Sequence, residues 1–247
     1  MTFDAHPRSS LIVALDFDSL SSAVKFAKQV ADLVGLFKIG SQLFTAAGPA
    51  VVKEIAALGP SIFLDLKFHD IPNTVAGAVL SSAAMSGVQL VNVHALGGSA
   101  MMKAAAQAIS AGVPLGMDRP RLLAVTILTS MDQKAIREVG ISGSPKSSVP
   151  KLAKLAKNSG VDGVVASVQE AKAIRKVCGR DFLIVTPGVR PKEKGASSKG
   201  DDQARTATPT EAIRAGADYI VVGRPILAAE DPRAAAQAIV DEIAAAK

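Results

Sequence analysis

The sequence is poor in the residues that build covalent staples and metal clusters. It has one cysteine, Cys178, which excludes an internal disulfide and any multi-cysteine zinc or iron–sulfur site. Histidine occurs only at His6, His69 and His94, and His6 sits in a polar N-terminal stretch. A three-histidine metal site is therefore not expected, and nothing signals a resident metal or cofactor. Tryptophan is absent, there is a single tyrosine, and no dense Lys/Arg block occurs. The stacking platforms and basic arms of nucleic-acid binders are thus missing. No apolar run approaches the ~20 residues that cross a bilayer. The start, MTFDAHPRSS, lacks the charged-then-apolar pattern of a secretion signal. The expectation is a cytoplasmic protein with neither a membrane nor a nucleic-acid partner.

What is present is a globular composition: 247 residues, 49% hydrophobic and 20% charged, which excludes intrinsic disorder. The net charge of +6, with a pI near 9.5, suits an anionic ligand such as a phosphorylated metabolite. Short Val/Ile/Leu-rich runs alternate with longer Ala-rich amphipathic stretches. The runs predict strands at 11–17, 36–40, 61–68, 89–95, 121–128, 162–167, 181–186 and 217–223, composed as parallel strands buried on both faces should be. Helical patterning falls between them, notably at 19–34, 48–59, 148–160 and 231–247. In 148–160 the apolar face is Val149, Leu152, Ala153, Leu155 and Ala156. Ser19 reads as an N-cap, and Gly35, Gly59 and Gly160 stand where helix C-caps belong.

Eight such units in 247 residues give about 31 residues each, the size of a strand–helix unit. The fold class expected is an α/β (β/α)₈ barrel forming a single domain over 1–247, since barrels of this kind run to ~250 residues. An open doubly wound sheet would carry a G-x-G-x-x-G turn, and none occurs. Gly35 to Gly40 has P-loop glycine spacing, but Ser41 stands where a lysine is required. Long loops are expected at 112–120 and 187–210, the second following strand seven.

A barrel of this type carries its functional residues at the C-terminal ends of its strands. The polar residues fall there: Asp16, Lys38, Asp65, Lys67, Asp70, Asn92, His94, Thr129, Ser130, Arg190, Gly223 and Arg224. Residues two apart on a strand share a face, so Asp65 and Lys67 are expected to project together. One charged pair could be a structural ion pair. Asp16, Lys38, Asp65, Lys67 and Asp70 converging on one barrel end are too many for core electrostatics. Alternation of sign favours Lys67 as an ammonium acid rather than a Schiff-base nucleophile. TPGVR (186–190) and VGRP (222–225), after strands seven and eight, offer glycine backbone and arginine for a phosphate. His94 is read as satisfied by backbone, Met101 and Met102 as core or interface, and the lysines of 192–199 as solvated.

These segments carry a resemblance. VALDFD (13–18), FKIG (37–40), DLKFHDIPNTV (65–75), VNVHALGG (91–98), LTSM (128–131), VTPGVRP (185–191), DDQARTATP (201–209) and GADYIVVGRPI (216–226) resemble the orotidine 5′-phosphate decarboxylases along nearly the whole chain. D-x-K-x-x-D is shared with related sugar-phosphate enzymes; DLKFHDIPNT and VVGRPI are more specific. The resemblance implies cofactor-free conversion of orotidine 5′-monophosphate to UMP and CO₂, the last step of de novo pyrimidine synthesis. It implies Lys67 as the proton donor to C6, with Asp65 beside the substrate carboxylate. Lys38 and Asp16 would lie on ribose hydroxyls. Asp70 and Thr74 would reach into a neighbouring subunit's site, which implies a homodimer. Thr129 or Ser130 would touch the pyrimidine. Gln203, Arg224 and the Gly223 backbone would bind phosphate, with Arg190 beside them and 187–210 as a lid. The alternatives are a Mg²⁺-dependent sugar-phosphate decarboxylase or aldolase of the same suprafamily, a phosphate-ligand scaffold on a decayed barrel, and a nucleic-acid binder.

Overall fold

The eight expected strands form, and their parallel pairing closes. The computed structural model describes residues 6–113, 118–191 and 206–247. Its strands are β1 (Leu11–Ala14), β2 (Leu36–Gly40), β3 (Ser61–Phe68), β4 (Val88–His94), β5 (Arg121–Val125), β6 (Gly163–Val165), β7 (Leu183–Thr186) and β8 (Tyr219–Val222). Each pairs with the next and β8 pairs with β1, so the sheet is a closed barrel. The helices are α1 (Leu20–Val30), α2 (Ser41–Ala47), α3 (Ala50–Ala56), α4 (Pro72–Ala83), α5 (Gly98–Gly112), α6 (Gln133–Glu138), α7 (Pro145–Asn158), α8 (Val168–Cys178), α9 (Pro209–Arg214), α10 (Arg224–Leu227) and α11 (Pro232–Ala246). The (β/α)₈ expectation holds. Among the described residues no helix is long and apolar enough to cross a membrane.

Strand pleating divides the core in two. Leu11, Val13, Phe37, Ile39, Ile62 and Leu64 point outward and pack beneath the helices. Ile12, Ala14, Leu36, Phe63, Leu90, Leu123, Val185, Tyr219 and Val221 fill the barrel interior. The same alternation turns Lys38 inward above Leu36, and Asp65 inward above Phe63. A polar layer therefore stands on an apolar plug.

The two ends of the barrel use charge differently. At the N-terminal end Asp162 accepts from Arg119, Arg121 (3.2 Å) and the Leu122 N–H (2.8 Å). Asp218 accepts from Arg175 and the Ile184 N–H, and Arg175 also donates to Gly216 and Phe182 carbonyls. Each carboxylate clips an arginine to strand backbone, so these charges hold neighbouring strands together. The opposite end is open.

Some local expectations are corrected. Helix 19–34 ends as α-helix at Val30 and continues as a 3₁₀ turn, Ala31–Leu33. Gly35 is therefore no C-cap. It is glycine because a Cβ there would meet the Ser9 carbonyl oxygen at 2.6 Å. Helix 148–160 starts earlier, because Ser144 and Ser147 form a reciprocal capping box ahead of it. Leu155 lies on its exposed side, not its buried face. The loop expected from 112 begins after α5, and residues 114–117 lie outside the described ones.

Candidate active site

The open end holds a cavity of about 310 Å³. Asp16, Lys38, Asp65, Lys67, Thr129, Ser130, Arg190, Gly223 and Arg224 all line it. Eight separately predicted site residues, and Ser130, are thus brought together from β1, β2, β3, β5, β7 and β8. Its wall also includes Ile127, Leu128, Val165 and Pro225, an apolar side that the search for polar residues missed. The alternation of β5 and β6 was the signal that would have found part of it.

The charges form a chain of alternating sign. Lys38 Nζ lies 3.2 Å from Asp16 Oδ1 and 3.5 Å from Asp65 Oδ2. Lys67 Nζ lies 2.7 Å from Asp65 Oδ1. Asp65 is 7% exposed. Burying a lone carboxylate costs several kcal/mol, so these partners are a condition of its being there. A third partner is Asn92, whose Nδ2 donates to Asp65 Oδ1 at 2.7 Å. Gly40 leaves room for the array, since a Cβ there would stand 3.0 Å from Lys38 Nζ.

Asp65 and Lys67 converge, but not by simple pleating. In the β3–β4 register Leu64 pairs with Val91 and Phe68 pairs with Val93. Asp65, Leu66 and Lys67 therefore stand opposite the single residue Asn92, as a bulge. Lys67 sits at φ 53°, the one described non-glycine residue with positive φ. That conformation costs a side-chain-bearing residue about 1–2 kcal/mol, and strain of this kind gathers at functional sites. The Lys67 N–H, displaced from the strand ladder, donates to Asn92 Oδ1 at 2.8 Å.

His94, at the end of β4, stacks on His69 with ring centroids 5.5 Å apart. Burial, reinforced by the positive fields of His69 and Lys67, lowers its pKa to about 4. The ring is neutral, and its Nδ1 accepts the Leu96 N–H at 3.3 Å, the backbone satisfaction expected for it. Met101 and Met102 are core, as read.

Two expected site residues are not among those that line this cavity. Asp70 is exposed beyond β3, and its Oδ1 accepts from the Ile71 N–H at 2.6 Å. Thr74 is exposed on the first turn of α4. Gln203 lies outside the described residues, as does 192–205 of the expected lid. Among the described residues on either side, Val189, in the cavity wall, bridges Ala207.

Known proteins match this chain along nearly their full length. The family model described as "Orotidine 5'-phosphate decarboxylase / HUMPS family" matches residues 9–239. A relative from Syntrophotalea carbinolica named orotidine 5′-phosphate decarboxylase is 54% identical over 240 residues, 97% of this chain and 96% of its own. One of the same name from Geotalea daltonii is 53% identical over 238 residues, 96% of this chain and 97% of its own. The crystal structure of orotidine 5′-phosphate decarboxylase from Lactobacillus acidophilus superposes with a TM-score of 0.82 at 43% identity, covering 94% of this chain and 98% of that one. The charge array, its bulged strand and these full-length matches agree: the chain belongs to the orotidine 5′-phosphate decarboxylase / HUMPS family.

Proposed function

We propose that this protein is a carboxy-lyase that converts orotidine 5′-monophosphate to UMP and CO₂, the last step of de novo UMP synthesis. The observation that carries the reading is the Asp16–Lys38–Asp65–Lys67 array in the wall of a cavity that Arg190, Gly223 and Arg224 also line. The relatives matched over nearly the whole chain carry the decarboxylase name, which favours it over the Mg²⁺-dependent sugar-phosphate branch.

The chemistry asked of the site is severe. When the C6–carboxylate bond breaks, its electron pair stays on C6 in the ring plane, without a π system to receive it. Cofactors usually supply the electron sink in decarboxylation; in this reading the protein supplies fixed charge instead. The Lys67 ammonium stabilises the developing carbanion and then delivers its proton to C6, giving UMP. Asp65 holds that ammonium in place at 2.7 Å and, in this reading, stands beside the substrate carboxylate. Lys38 and Asp16 contact ribose hydroxyls in this reading, and Thr129 the pyrimidine; that all three line one cavity supports it. Binding energy from the remote phosphate, held by Arg224, Arg190 and the Gly223 backbone, orients the ring.

Three finer elements belong to the same proposal. The stretch expected at 187–210 serves as a lid over the phosphate, with Gln203 as a phosphate ligand, although α9 begins at Pro209 and so bounds it sooner; the bridge between Val189 and Ala207 supports this by joining its described flanks beside the cavity. The protein works as a homodimer in which Asp70 and Thr74 complete the partner's site. Their exposure beside Ile71, 66% exposed, supports that. A chain with one buried cysteine fits the cytoplasm.

The test is an ultraviolet assay with orotidine 5′-monophosphate, EDTA and no added cofactor. Loss of orotate absorbance with UMP formed one-for-one supports the reading. No turnover in EDTA, with a sugar phosphate consumed once Mg²⁺ is restored, refutes it. Mixing a Lys67 variant with an Asp70 variant tests site sharing: hybrid dimers regain one intact site only if Asp70 acts across the interface.

A further inference from the structure

Resting on that reading and deepening it, we infer that Asn92 is a positioning residue that sets the Lys67 ammonium and the Asp65 carboxylate against each other across the β3 bulge. Asn92 is fully buried on β4 and is not among the residues that line the cavity. It therefore acts through others. Its amide makes two hydrogen bonds, one to each half of the central ion pair: Oδ1 accepts the Lys67 N–H at 2.8 Å, and Nδ2 donates to Asp65 Oδ1 at 2.7 Å.

The chemistry of the partners fixes which way the amide points. A backbone N–H can only donate and a carboxylate can only accept, so the oxygen must face Lys67 and the nitrogen Asp65. The bulge explains the need. Three β3 residues opposite one β4 residue leave the Lys67 N–H out of the regular ladder, in a partly buried place where an unpaired N–H carries a cost. Asn92 Oδ1 replaces the missing carbonyl. In doing so it holds Lys67 in the left-handed conformation that aims its side chain at Asp65. Relaxation to extended backbone would swing Lys67 away from its partner.

Few other side chains can do both tasks. Leucine matches the shape but neither donates nor accepts. Aspartate can accept from Lys67 but sets a second carboxylate against Asp65, where like charge is destabilising. Serine is too short to span both groups.

The experiment uses the full-length protein with Asn92→Leu and Asn92→Asp. It measures kcat and KM for orotidine 5′-monophosphate, affinity for UMP by titration calorimetry, and Tm. In the proposed reading UMP is held through its phosphate and ribose by residues other than Asn92. Expected for each variant is a kcat lower by about 10- to 100-fold, with UMP affinity within about threefold of wild type. A folded variant that keeps wild-type kcat overturns the inference, as does parallel loss of kcat and UMP affinity, which is general damage. If Asn92→Leu fails to fold, the isosteric Asn92→Asp decides by the same criteria. A crystal structure of either variant in which Lys67 keeps its left-handed backbone and its contact with Asp65 also overturns it, whatever the activity. Wild-type protein that does not turn over orotidine 5′-monophosphate refutes the functional reading instead, so the two failures are distinct.

Discussion

Replacing Lys67 by alanine and by glycine separates what this residue does for the reaction from what its conformation costs the fold. At 2.7 Å, the attraction between Lys67 and Asp65 is about 6 kcal/mol at an effective dielectric of 20, before desolvation. Most of that does not count towards stability. The Lys67 side chain is 36% exposed and so is partly screened. Asp65 also keeps Asn92 at 2.7 Å and Lys38 at 3.5 Å after the change. A net loss of about 1–2 kcal/mol follows for alanine, which still bears a Cβ at φ 53°. Glycine removes the left-handed penalty but adds freedom to the unfolded chain. The glycine variant is expected to be the more stable by about 1 kcal/mol, or roughly 2–4 °C in Tm for a domain of this size. In the proposed mechanism both variants lose the proton donor and the charge facing C6. The general-acid and electrostatic contributions together set a drop in kcat/KM of at least about 10⁴-fold, near 5 kcal/mol of barrier. Thermal melts followed by circular dichroism and the orotate absorbance assay measure the two effects. Activity within tenfold of wild type would remove Lys67 as the donor. Alanine melting at or above glycine would show that position 67 is not held left-handed in solution.

Arg224→Ala should lower kcat/KM by about 10²–10³-fold although Arg224 faces no reacting atom, because remote binding energy orients the ring; unchanged kcat/KM would take the phosphate role from it. Gly35→Ala should destabilise by about 1–3 kcal/mol, since its Cβ would meet the Ser9 carbonyl oxygen at 2.6 Å, and an unaltered melt would contradict that contact. His94 gives a pH dependence: its pKa is lowered from 6.5 to about 4 in the folded protein, so between those values the unfolded chain binds the extra proton and stability is lost as pH falls. Discounted for the partial exposure of the ring, the loss is about 1 kcal/mol by pH 4. Urea melts of wild type and His94→Gln should diverge across that window, and parallel curves would refute the shift.

What could be read from the residues, and what could not, divides along sequence distance. All eight strands were legible because both their faces are buried, so Val, Ile and Leu run together without help from any partner. β2 and β3 form at the expected residues. β1 was read through Phe17 but ends at Ala14, since hydrophobicity persists beyond the ladder; Leu15 still donates to the Lys38 carbonyl. The short helices α2, α6 and α10 had too few turns to show a period. The cavity-lining charges were legible from a rule about strand ends.

The joint between Asp65 and Lys67 was not legible, although both residues were. Alternation along β3 says that they share a face, and a regular strand would satisfy that with the two side chains side by side. The real geometry depends on how β3 registers against β4, 25 residues away from Lys67 at Asn92. Only there does the extra length of β3 become a bulge, and only the bulge gives Lys67 its left-handed backbone. A single polar residue in the otherwise apolar run of β4, Leu90-Val91-Asn92-Val93, was the trace it left in the sequence. Buried asparagine in a strand needs partners for its amide. That demand calls for a donor and an acceptor nearby, and the Asp65–Lys67 segment offers both.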